Sequence, residues 1–218
     1  MKSKILFYCI LVLLSLNLIS CLSLSSVQSG KTLGKEKIEG SIVGTMGEYS
    51  QISTFGEDGI FDYKPSFGLK IRYGATDKID FGANIDQSLV IGASVKYQFL
   101  GNIESRFASS IGFELGFSFM PILIGDINHY LSIPLFLSFH PKDNFVIFLT
   151  PRFLYASDFV FASLTGAEIT ESKISKFGNS YGFIFGRKHK IALELSNFNN
   201  TFFKPTNFSI GYILTLRQ

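Results

Sequence analysis

The sequence predicts an all-β fold: an up-and-down antiparallel barrel of about ten strands, with eight as the alternative, that spans a membrane and follows a helical amino-terminal signal. Three observations lead there. Apolar residues recur at every second position, and the links between these segments alternate between long and short. Phenylalanine is abundant, with 24 residues beside 20 glycines and no tryptophan. A period of two belongs to strands, and a mixture of aromatics and glycine suits strands better than helices.

The chain opens with Lys2 and Lys4 before an apolar run from Ile5 to Leu18. A membrane-crossing helix needs roughly 20 residues, so the run fits a signal peptide over residues 1–20. Leu18-Ile19-Ser20-Cys21 resembles the lipobox of bacterial lipoproteins. The resemblance implies cleavage between Ser20 and Cys21, a diacylglycerol on the Cys21 sulfur and an N-acyl chain such as palmitate. It also implies lipoprotein-processing machinery as a partner. Leu22, where an Asp favours inner-membrane retention in such proteins, points to the outer membrane. The alternative is an uncleaved anchor helix running through Leu24.

Removing residues 1–20 takes away Lys2 and Lys4, so the formal charge falls from +3 to +1. No basic field is left for nucleic acid. The only cysteines are Cys9, inside the signal, and Cys21, so the mature chain forms no internal disulfide. Residues 21–36 are small and polar without a period, and are expected to be a lipidated flexible tether. The barrel is expected over residues 37–218.

Its first strand is expected at Lys37–Met46. Leu69, Ile71 and Tyr73 then alternate with Lys70 and Arg72, and Ile79, Phe81, Ala83 and Ile85 alternate with Asp80, Gly82 and Asn84. The pattern continues through Leu89–Phe99 and Phe107–Phe119, and further strands are expected at Leu131–Phe139, Phe145–Tyr155, Phe177–Phe185, Ile191–Asn197 and Phe208–Leu216. Long links at Gly47–Tyr63 and Ala156–Lys176 and medium ones near Gly125 and Asn200 contrast with the short "GATDK", "LGNI", "PKD" and "GRKHK", and only the third link, around Asp86 to Ser88, is short on the long-loop side. Short periplasmic turns, longer outer loops and an even strand count are the pattern of a membrane barrel.

Alternation alone allows either face to be the greasy one, as a soluble lipocalin-type barrel shows. Aromatic height discriminates. Tyr73, Tyr97, Phe99, Phe107, Phe139, Phe145 and Phe185 lie beside the short turns, while Phe67, Phe119, Tyr155 and Tyr181 lie near the long loops. Aliphatics take the middles, as in a lipid-facing band between two interfacial girdles. At the carboxyl end, Ser209-x-Gly211-x-x-Leu214-x-Leu216 resembles the outer-membrane insertion signal, with leucines where aromatics are usual. By pattern, the chain resembles small bacterial outer-membrane β-barrel proteins over most of its mature length. The resemblance implies outer-membrane lipid and barrel-assembly machinery as partners.

The polar face carries Lys70, Arg72, Asp80, Lys96, Arg106, Glu114, Arg152 and Glu194, expected to form a charged network inside the barrel. Pairing Tyr73 with Ile79 would set Arg72 opposite Asp80. Such ladders either fill the lumen or line a solute path, and ten strands leave little room for an aqueous channel. His129, His140 and His189 fall at separate connections and do not converge on a metal. His140 and Ser138 face inward together with no carboxylate in obvious reach, so no hydrolase is read from them. Pairing Phe139 with Phe145 would set Pro134 opposite Thr150, beside Pro151, which predicts a bulge or kink there.

These readings converge on a lipid-anchored outer-membrane barrel, not an enzyme, with no cofactor beyond the acyl chains on Cys21. Its role is expected to be structural or in surface interaction through the long loops, with an extracellular partner the residues do not name. The alternatives are a narrow porin-like passage for small solutes and a tethered lipocalin-like periplasmic binder.

Overall fold

The computed structural model describes residue 25 and residues 27–49, 62–86, 90–118, 126–160, 170–197 and 207–217. The signal with Ser20 and Cys21, Phe119, and the middles of both long links lie outside the described residues. Ten strands follow one another: β1 Ile38–Tyr49, β2 Asp62–Gly74, β3 Ile79–Asp86, β4 Val90–Leu100, β5 Phe107–Ser118, β6 Asp126–Lys142, β7 Phe145–Val160, β8 Thr170–Gly186, β9 His189–Asn197 and β10 Asn207–Arg217. Each pairs antiparallel with its chain neighbours, and β1 pairs with β10, from Ile38↔Arg217 to Gly47↔Asn207. Closure gives every strand a partner on both sides, although Thr170–Gly178 of β8 runs beyond the end of its ladder with β9 at Asn179↔Asn197.

The outer face is apolar. Ile42, Leu69, Ile71, Phe81, Ile91, Val95, Ile111, Phe113, Phe117, Phe183, Ile191 and Ile210 are all exposed. The inner face holds Asp80 and Glu194 at 1% exposure and Gln98 and Ser110 at 0%. A lipocalin has the opposite arrangement, so the lipocalin-like reading is overturned. Near the turn end Tyr73, Tyr97, Phe99, Phe107 and Phe185 stand outward. Phe107 stacks on Phe139 at 4.5 Å and Phe145 on Phe185 at 4.9 Å, pairing the aromatic ring across neighbouring strands. The interior is not wholly polar, because Val43, Phe148, Ile184, Ala192 and Ile213 form a buried apolar wall.

Three expectations need correction. Strands β7 and β8 stay paired from Tyr155↔Ser175 to Val160↔Thr170, so the expected loop Ala156–Lys176 is mostly a hairpin arm, with only 161–169 outside the described residues. A strand that rises clear of an apolar layer has no reason to alternate, and its period disappears. Arg72 lies opposite Gly82 and Tyr73 opposite Phe81. The shift arises because Gly74 still belongs to the strand, and Ala75 and Thr76 close the turn by donating to Ile79 O at 2.9 and 3.2 Å.

Likewise Phe139 pairs with Ile147 and Pro134 with Arg152, with the irregularity between Phe139 and Lys142 near the turn. Beside Pro134 the ladder with β5 breaks after Ile111↔Leu135 and resumes at Glu114↔Ser132, and the ladder with β7 breaks between Pro134↔Arg152 and Leu137↔Leu149. Both resume in the same register, so the disruption at this proline is a gap in the hydrogen bonds and not a bulge. The β7–β8 ladder passes Pro151↔Asn179 unbroken.

Candidate functional site: a plugged lumen

The described part of the expected tether is not free chain. Ser25 and Val27–Gly34 run inside the barrel. At the turn end Glu36 N–H donates to Gly74 O at 2.7 Å and Lys35 N–H to Asp77 Oδ1 at 3.2 Å. Going inward, Leu33 N–H donates to Asp80 Oδ1 at 3.0 Å, Thr32 N–H to Gln98 Oε1 at 2.8 Å, and Gly30 N–H to Ser138 Oγ at 2.9 Å. The carbonyls are met as well. Lys96 Nζ donates to Lys31 O at 2.8 Å and Ser29 O at 3.2 Å, Ser110 Oγ donates to Gly30 O, and Lys70 Nζ donates to Ser25 O.

Polar side chains of β2, β3, β4, β5 and β6 thus supply both donors and acceptors to one extended backbone. A buried peptide group must be paired, and here the barrel wall does the pairing that a neighbouring strand would otherwise do. On the apolar side Val27, 4% exposed, packs with Val43, Phe148, Ile184, Ala192 and Ile213. It fits because β10 carries Gly211, where an added methyl would stand 3.2 Å from Val27 Cγ1.

The charged residues divide into groups. Arg72 is paired with Glu39 and lies 3.6 Å from Asp80, Lys96 lies 3.5 Å from Asp80, and Lys190 closes on the other oxygen of Glu39. Each carboxylate is therefore held between two cations, the condition under which buried charge is tolerated. Lys70 lies within electrostatic reach of Glu114, Arg152 and Glu194, and Arg152 donates to Ser180 Oγ at 3.0 Å. Arg106 does not join the network, being exposed at the turn end. Glu39 and Lys190 were missed. Both share strand parity with inward neighbours, Val43 in β1 and Glu194 in β9, and extending that parity would have found them. Nothing local marks Gln98, Ser110 and Ser138 as partners of the plug.

Further along, Tyr130 crosses the lumen against Val90 and Leu154, and Asn84 Nδ2 donates to its hydroxyl at 3.4 Å. Gly116 makes room, since a methyl there would overlap the Tyr130 ring. The plug and this Tyr130 cluster occupy the interior at successive heights.

Ser138 Oγ lies 2.9 Å from His140 Nε2 and also accepts from Gly30 N–H, so the pair seats the plug. The charges that act on His140 are Lys31 and Lys190, both cations and not the carboxylate of a triad. His129 pairs with Phe117 and Ser157 toward the loop end, and His189 meets the Tyr212 hydroxyl on the exterior. Among the described residues no group of three or more His, Cys, Asp or Glu is placed to hold a metal.

No protein-family model matches this chain, and no curated protein does. Among solved structures it is similar to the N-terminal β-barrel domain of OprF from Pseudomonas aeruginosa, with 8% identity, 84% of this chain and 99% of that one covered, and a TM-score of 0.40. It is also similar to Ail, the attachment invasion locus protein of Yersinia pestis, solved with the heparin analogue sucrose octasulfate, at 11% identity, 83% and 96% coverage and a TM-score of 0.35. The outer membrane protein OprG from Pseudomonas aeruginosa follows at 12% identity, 86% and 96% coverage and a TM-score of 0.33.

Proposed function

We propose that the protein is a lipid-anchored outer-membrane barrel with a structural or surface-interaction role, closed to solutes by its own amino-terminal segment. The observation that carries the membrane reading is the inversion of faces, exposed Ile, Leu and Phe outside and buried Asp, Glu, Gln and Ser inside. The closed lumen rests on the hydrogen-bonded seating of Ser25 to Leu33. The long link at Gly47–Tyr63 and the hairpin arm at Ala156–Lys176 are the parts we assign to an extracellular partner. The lipid anchor rests on the lipobox resemblance at Leu18 to Cys21. Mass spectrometry of the mature amino terminus tests it, and an unmodified Cys21 would remove the anchor from the reading.

A second reading, a narrow passage, is favoured by one observation. Ser132, Thr150 and Ser157 have buried hydroxyls with no partner among the described residues, polar atoms that water or a small solute could satisfy. Planar-bilayer conductance decides between the two. The full-length protein should be silent and a variant lacking residues 25–34 should conduct. Stable channels from the intact protein would overturn the closed-barrel reading in favour of the passage.

A further inference from the structure

We infer that the turn end of the barrel carries a binding site for a multivalent phosphate-bearing anion. At that end a cavity of about 690 Å³ lies between the plug, Gln28 to Leu33, and the rim of the strands. Its lining includes seven Lys or Arg side chains against three Asp or Glu. Most are committed. Arg72 and Lys190 share Glu39, Arg187 lies 3.7 Å from Asp143, and Lys31 Nζ donates to Ile103 O at 2.6 Å. Lys37, Arg106 and Lys142 have no side-chain partner among the described residues, and Glu104 is the lining carboxylate without an ion pair among them.

Three unpaired cations around one concavity repel each other, and a cleft with low-dielectric walls concentrates their field. The complement is a ligand with several negative charges in a small volume. An arginine fork with two lysine ammonium groups suits phosphate oxygens. The turn end beyond the cavity adds Lys35, Lys78 and Lys188 against Glu36 and Asp77. Phosphate of this kind can come from a soluble polyphosphate or from lipid headgroups at the same face, and the chemistry of the site is common to both.

The test uses the full chain and the triple variant Lys37→Gln, Arg106→Gln, Lys142→Gln, with the single substitutions as a second set should the triple fail to fold. Calorimetric titration with tripolyphosphate in detergent reads the soluble source. Thermal stability in nanodiscs of phosphatidylglycerol against phosphatidylcholine reads the lipid source. Salt-sensitive tripolyphosphate binding, weakened about tenfold or more in the triple variant, supports a soluble ligand. No soluble binding, with stabilisation by phosphatidylglycerol that disappears in the triple variant, supports a headgroup. Neither effect, or either one unchanged by the substitutions, overturns the site.

Discussion

Asp80 shows how much can depend on one residue. It is 1% exposed, accepts from Leu33 N–H, and faces both Arg72 and Lys96. Replacing it with asparagine leaves two buried cations short of a counter-charge, a loss expected to cost about 3–5 kcal/mol. The check is the urea midpoint of the protein refolded in lipid vesicles, where Glu104→Gln at the exposed rim should shift stability by less than about 0.5 kcal/mol. Gly116 is the steric counterpart. Gly116→Val should destabilise by about 1–3 kcal/mol through overlap with Tyr130. Combining it with Tyr130→Ala should recover part of that loss, and purely additive costs would mean that the ring is not the obstacle.

At the scale of the element, the plug separates what could be read from what could not. Period two made the strands legible, because each outward Ile or Phe answers to the same apolar surroundings. The segment from Ser25 to Gly34 has no period, because its partners are scattered over the chain. Gly30 meets Ser138, 108 residues away, and Thr32 meets Gln98, 66 away. Small polar residues without a pattern fit a free tether and a hydrogen-bonded strand in a polar bore equally well. The charged lining was legible, though its registers were displaced wherever a turn closed differently from expectation. Gly30 offers a direct test. A side chain there meets Ala108 O and Ser138 Oγ, so Gly30→Val should unseat the plug. The expected outcome is faster proteolysis of residues 25–34 with the strands still protected. Unchanged cleavage would show that the wall yields instead.

For the molecule as a whole, the outward face should behave as a lipid-facing surface. Phe113 lies mid-strand in β5 and is 42% exposed. Phe113→Arg should cost about 2–4 kcal/mol in vesicles, the value for a basic residue near the bilayer midplane. Phe113→Leu should be nearly neutral. An arginine tolerated there without cost would mean that this face meets water.

The plug is joined to β1, the strand that meets β10 to complete the ring, and it touches side chains from β2 through β6 and packs Val27 in one cluster with Ile213 of β10. Pairings between chain ends are slow to form. A segment that engages both ends and the middle can serve as a mandrel around which the hairpins gather before the seam closes. The length of chain that obstructs the finished bore would then also be what brings its walls together.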